Sequence, residues 1–435
     1  MSTQHRRPGR RIITAAAALT GAALALTACS GPSGGAGGTG AGPTSFTVLA
    51  VTNVPEIKTL TALSKGACAA ADKALPLKFQ TTSQAQMQQK VQLLAGQNGL
   101  PAMFDATGTP SVTEQLDKSG QLLDLTPELD ELGVSDDVLP AAASTIKNLY
   151  GGNLNVVPTS LNIEGFWYNK AAFAKAGVEV PTTWQALVDA SAKLQAAGYT
   201  PLSTGASGQG WPVTRLISGY LFRELGPSAM ADVRDGKAKL TDPKYVAAAQ
   251  AIADLGKKGY LGKSVGSVDY DTINSNFLTG KAAMMYMGSW ALGGFEDPKQ
   301  NQIGADDIGF FPYPAVDGGT GSIDQLPANV GEPIGLSKKL YGPKPAAWLK
   351  CIAQHYGATA IENGQISGFK VNGSPKASAL TQLVLDKIGS TQQSLVWFET
   401  YFNSKASTVS WNNVASLVDG KQSASQFMSL IQAAL

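Results

Sequence analysis

Apolar positions along this chain recur with two periods in alternation. "SFTVLAV" from Ser45, "LKFQTT" from Leu77 and "PAMFDAT" from Pro101 are short runs that predict strands. Between them, "PEIKTLTALSKGACAAADKAL" and the Gln-rich "AQMQQKVQLLAGQNG" space their apolar residues as helices do. Strands separated by helices predict an α/β lobe with a largely parallel sheet, whose ligands meet the carboxyl ends of the strands. Asn53 to Glu56 and Asp105 to Thr109 follow such ends. Further on, "FWYNKAAFAKAGVEVPTTWQALVDASAKLQAAGYTPL" predicts a strand end, a short helix stopped by Gly177 and a longer helix. That longer helix opens with Thr182 and Gln185 at capping-box spacing, carries Trp184, Leu187, Val188 and Leu194 on one face, and ends at Gly198. "FLTGKAAMMYMGSW", Phe277 to Trp290, is an apolar run between glycines. It is too short to span a membrane and predicts a strand buried on both faces, with Trp290 presented just beyond its end.

At 435 residues the chain exceeds what one hydrophobic core usually serves, so two lobes are expected. Charged residues make up 15%, below the roughly 25% of average soluble domains, which leaves a surface rich in neutral polar side chains. A formal net charge of +2, without a basic stripe beyond the first residues, argues against nucleic-acid binding. "HRRPGRR" followed by "IITAAAALTGAALALTA" has the basic and apolar regions of an export signal spanning residues 1–28. Leu26-Thr27-Ala28-Cys29 resembles the bacterial lipobox, in which the cysteine is lipidated; "SGPSGGAGGTGAG" then continues as a flexible tether, residues 29–44. Arg10-Arg11 also hints at twin-arginine export. Cys68 and Cys351 remain, on stretches that read as helical, either as a disulfide or as two separate buried thiols.

The stretches "YNK" from Tyr168, "KAGVEVPTTW" from Lys175 and "FLTGKAAMMYMGSW", in this order, resemble the extracellular solute-binding proteins of ABC importers, of the maltose-binding type. "PAMFDATGTPSVTEQLDKSGQLLDLTPEL" and "ANVGEPIGLSKK" fit the same resemblance, which runs from about Ser45 to the C-terminus; Ala102 stands where the family usually carries an acidic residue. The resemblance implies a periplasmic-binding-protein-like α/β fold of two lobes, with a hinge crossed more than once and a ligand cleft between them. Lobe 1 would comprise residues 45–158 and 333–376, and lobe 2 residues 159–332 and 377–435. Both cysteine-bearing helices then belong to one lobe, which implies a Cys68–Cys351 disulfide. It also implies a monomer on the outer face of the cell membrane, held by its lipid anchor, that passes a neutral carbohydrate to a membrane permease.

A sugar has apolar C–H faces and a rim of hydroxyls, so its site needs flat aromatic surfaces and directional polar partners. Trp290, after Gly288-Ser289, and Trp211, in the glycine-rich "STGASGQGWPVTRL", are the expected stacking surfaces, with Ser207 and Gln209 beside the latter. Polar partners are expected from Asn53 and Glu56, Asp105 and Thr107, Asn162 and Glu164 at the first crossing, Asn329 and Glu332 at the second, and Trp397 and Glu399 in "VWFETYF". The alternative is an exported glycoside hydrolase using two of these carboxylates as acid and base. His355, expected on a helix surface, is the one histidine beyond the signal, so a histidine-rich zinc site is excluded. No Gly-rich phosphate loop follows the first strand; neither metal nor cofactor is expected.

Overall fold

The structure, a computed structural model, describes residues 42–106, 110–150, 152–331, 334–390, 394–395 and 397–435. Cys29, Thr107 and Glu332 lie outside the described residues. The described strands are β1 (Phe46–Val51), β2 (Leu77–Thr82), β3 (Met103–Asp105), β4 (Asn162–Asn169), β5 (Thr200–Ser203), β6 (Ala282–Gly288), β7 (Ile308–Phe311), β8 (Leu326–Asn329), β9 (Ile334–Leu336) and β10 (Ser394–Leu395).

They form two sheets. The first has the order β2-β1-β3-β9: β1 pairs in parallel with β2 and β3, as expected, and β9 closes the edge antiparallel to β3. The second has the order β10-β8-β4-β6-β5, with β7 also on β4. Here β4 is antiparallel to β6, β7 and β8.

Three apolar clusters hold the sheets. Leu49, Val51 and Phe104 on one face of the first sheet pack with Met87, Val91 and Leu116. Its other face, with Phe46, Val48 and Met103, packs with Leu60, Trp348 and Ile352, and that core continues through Ile163, Trp167, Met285 and Met287 onto the second sheet. Phe166, Met284 and Tyr286 turn to the opposite face, against Val213, Leu216 and Ile252. Every residue of β6 is buried, because its alternate side chains enter two different cores.

The chain passes between the sheets as a paired ribbon. The antiparallel register that joins Asn162 to Asn329 also brings Val157 opposite Ile334, where the Val157 N–H donates to the Ile334 carbonyl at 2.7 Å. Gly331 stands against Ser160 in that ribbon; a Cβ on Gly331 would lie 2.6 Å from Cβ of Ser160.

Three local expectations are corrected. The stretch read as one helix around Cys68 breaks at Gly66, whose N–H caps the helix Pro55–Lys65 on Ala62 and Leu63. Cys68 therefore caps the short helix Ala69–Ala74. A disulfide joins Cys68 to Cys351, which lies within the helix Pro343–Glu362, across a Cα separation of 5.7 Å. Thr183, not Thr182, caps the helix Trp184–Ala196, accepting from Ala186 N–H, and Gln185 instead donates to Asp189. Trp211 is not in a loop but is the first residue of the helix Trp211–Leu225. His355 is exposed on its helix, as expected.

Candidate functional site

Trp290 is placed by the end of β6. Gly288 closes the strand opposite Glu164 of β4, and a tight turn, Ser289–Ala291, folds the indole back over Gly288. A Cβ at residue 288 would lie 1.9 Å from that ring, so only glycine permits the approach.

Trp211, Trp290 and Trp397 meet around a residue the sequence reading overlooked. The Arg215 guanidinium carbon lies 4.2 Å from the ring centres of both Trp211 and Trp397 and 5.3 Å from that of Trp290. Trp211 and Trp290 also touch edge to face, with centroids 5.9 Å apart. Arg215 is positioned one turn after Trp211 on the same helix, where residues four apart share a face. Its charge is met by Glu164: Nη1 is 3.1 Å from Oε1 of that carboxylate, which is 0% exposed. The same Oε1 accepts from the Trp397 indole N–H and, at 3.1 Å, from Asn329 Nδ2.

A second carboxylate backs the first. Glu399 is buried and accepts from the Thr214 hydroxyl and, at 2.9 Å, from the Trp411 indole N–H. Burial pushes the Glu164 carboxyl above the ordinary range; Arg215 and the bonds from Trp397 and Asn329 pull it back, while Glu399 adds to the rise. Burial likewise raises Glu399, opposed by Thr214 and Arg215.

The ribbon between the sheets supplies the polar floor. Asn162 Nδ2 donates to Asn329 Oδ1 at 3.3 Å, and Asn329 Oδ1 also accepts from Gly331 N–H at 2.6 Å. Ser289 Oγ donates to Asn162 Oδ1 at 3.1 Å and accepts from Ile163 N–H, tying the turn before Trp290 to the ribbon. From the first sheet's side, Glu56, at the start of the helix Pro55–Lys65, accepts from Ser160 Oγ at 2.7 Å. With Ser160 as its partner, the Glu56 carboxyl is raised, chiefly by burial.

The expected residues Asn162, Glu164, Trp211, Trp290, Asn329, Trp397 and Glu399 thus form one network, and Glu56 reaches its edge through Ser160. Asn53 and Ser207 are exposed on turns, Gln209 is half-buried two residues before Trp211, and Asp105 is buried at the end of β3. Arg215, Trp411, Ser160 and Ser289 were missed. Arg215 alone had a local signal, the four-residue spacing from Trp211. Two open polar grooves lie elsewhere, one of about 650 Å³ beside Asn413, Lys421 and Gln426 and one of about 440 Å³ beside Glu114, Asp124 and Lys338. Neither brings aromatic rings together as the network does.

Comparison with known proteins is consistent across sequence and structure. Residues 62–349 match the family profile described as bacterial extracellular solute-binding protein. The chain is 26% identical over 231 residues to a probable sugar-binding periplasmic protein of Rhizobium meliloti (strain 1021), covering 50% of this chain and 53% of that one. It is 29% identical over 227 residues to the sn-glycerol-3-phosphate-binding periplasmic protein UgpB of Pectobacterium atrosepticum, covering 50% and 46%. The chain spans about half the length of these curated relatives. A solved chitin oligosaccharide binding protein superposes with a TM-score of 0.78 at 24% identity, over 89% of this chain and 98% of that one, and shares the α/β fold.

Proposed function

The chain belongs to the family of bacterial extracellular solute-binding proteins, and on that premise we propose that it captures a neutral carbohydrate for an ABC importer. The observation that carries this reading is the meeting of Trp211, Trp290 and Trp397 beside the paired ribbon, with Asn162, Asn329 and two carboxylates around them. Indole surfaces suit the C–H faces of a sugar, and amide and carboxylate groups suit its hydroxyls. A site that rejects analogues lacking one hydroxyl does so because a buried acceptor is then left without its partner.

Arg215 does not point to an anionic solute. Its guanidinium already contacts Glu164, with Glu399 close enough to interact, so the local charge is met. The hydrolase alternative gains no support: Oε1 of Glu164 holds indole and amide donors, Oε1 of Glu399 holds hydroxyl and indole donors, and the family is one of binding proteins.

Lobe 1 comprises residues 45–158 and 333–376 and lobe 2 residues 159–332 and 377–435, boundaries supported by the pairing of Val157 with Ile334, Asn162 with Asn329 and Ile163 with Ala328. Ligand favours the closed arrangement only through contacts to both lobes, and a permease reads that closed surface. The protein acts as a monomer on the outer face of the membrane, anchored through lipid on Cys29. Asn53, Asp105, Thr107, Ser207, Gln209 and Glu332 are the further residues proposed as polar partners of the solute.

A panel of chito-oligosaccharides, xylobiose, laminaribiose and maltose tests the reading. A bound sugar should change the tryptophan fluorescence and raise the melting temperature, with no product accumulating. Absence of any response across a broad panel of sugars and polyols would refute it.

A further inference from the structure

We propose that Arg215 is a positioning residue of the sugar site, a half-buried cation that sets the tryptophan rings before the solute arrives. The inference rests on the reading of the network as a sugar site and deepens it. The three rings come from distant places: the first turn of the helix Trp211–Leu225, the turn after β6, and the segment Trp397–Thr400. One guanidinium lies within 5.3 Å of all three ring centres.

The guanidinium is itself held from two directions. The helix delivers Arg215 one turn beyond Trp211, and β4 delivers Glu164, whose carboxylate also takes the Trp397 indole N–H. Trp397 is therefore fixed twice, by its edge to Glu164 and by its face to Arg215. Arginine is always charged and planar, so it lies flat against a ring as a lysine ammonium does not. Cation–π attraction strengthens as the pair leaves water, and the Arg215 side chain is only 14% exposed. Rings held in place beforehand spare the ordering cost that binding otherwise carries.

The ring faces turned to Arg215 are covered, so a sugar meets the opposite faces or the edges. A structural ion pair alone would affect stability; a positioning role moves ring geometry and affinity as well.

The test compares the full chain with Arg215→Met, Arg215→Lys and the double variant Glu164→Gln/Arg215→Met. The double variant removes the carboxylate charge that Arg215→Met alone would leave buried, and so keeps the test valid should the single variant fold poorly. Near-ultraviolet circular dichroism of the unliganded protein should lose tryptophan intensity in all three variants. Affinity for whichever sugar of the panel the parent binds should fall tenfold or more, with lysine restoring melting temperature but neither spectrum nor affinity. If the folded double variant keeps the parental spectrum, the positioning role is overturned, whether or not any sugar binds. Unchanged affinity, or tighter binding because the guanidinium had occupied ring faces the sugar needs, would overturn it too. A parent that binds no sugar while the variants lose the spectrum would instead reject the sugar reading and leave the positioning of the rings established.

Discussion

Asn162 and Asn329 stand opposite each other in the ladder between β4 and β8, and their side chains are joined as well as their backbones. Each lies on one of the two passages of chain between the sheets, so the amide pair cross-links the ribbon where it enters the tryptophan network. Asn329 does more than its partner, because it also donates to Glu164 and accepts from Gly331 N–H. Asn329→Ala should therefore cost about 1–3 kcal/mol of stability, the range for leaving buried partners unmet. Urea unfolding of the two proteins measures the difference; a change within error would show that the ribbon does not depend on it.

Gly288 and Trp290 form a steric pair. Gly288→Ala brings a Cβ against the indole and should cost about 1–3 kcal/mol while moving the ring. The emission maximum of tryptophan should shift, and sugar affinity should fall with it. Parental emission would mean that the ring stays where it was.

Trp211→Ala and Trp290→Ala should each weaken sugar capture about tenfold or more, in line with roughly 0.5–1.5 kcal/mol for aromatic geometry added to the area lost. Isothermal titration with a sugar that the parent binds gives the comparison. Retained affinity in the combined Trp211→Ala/Trp290→Ala variant would remove the basis of the proposed function.

Glu56 carries a pH signature. Burial raises its carboxyl above the unfolded value near 4.5, so the folded state prefers the protonated form. Its stabilising contribution is complete below the unfolded value and is lost as pH rises through the folded one. Glu56→Gln keeps an acceptor for Ser160 and removes the charge. The variant should melt higher than the parent at pH 7, with the gap closing as the pH approaches 4. A constant gap across that range would assign the effect to packing instead.

Removing the disulfide with Cys68→Ser/Cys351→Ser should cost about 2–4 kcal/mol, since the bond closes a loop with a sequence separation of 283 residues. Denaturant midpoints of parent and variant under oxidising conditions, with reduced parent as control, provide the measurement.

Much of this molecule can be read from its sequence where short-range physics decides. β6 declares itself because glycines bound an unbroken apolar run, and the helices Pro55–Lys65 and Trp184–Ala196 follow apolar spacing, although the break at Gly66 and the cap at Thr183 do not. Trp290 follows from that strand. The helix Trp211–Leu225 was read as a loop because three glycines precede it, although proline in its first turn is a helix-start signal. With the helix lost, the four-residue step from Trp211 to Arg215 went unnoticed. Glu164 and Trp397 were named separately, but nothing local reveals that residues 233 positions apart share a hydrogen bond. The antiparallel edge β9 and the strands β7 and β8 were missed for the same reason: their partners lie far away in the chain.

The first sheet imposes an order of assembly. Its edge strand β9 arrives some two hundred residues after β3, and Phe46 of β1 stacks on Trp348, whose indole donates to the Leu75 carbonyl. Cys351 follows three residues later to meet Cys68. A chain emerging from its amino end must keep β1 to β3 waiting, unsealed, until the stretch around residue 350 is through. The sheet that starts first is therefore closed late, and its disulfide waits on a residue 283 positions further along.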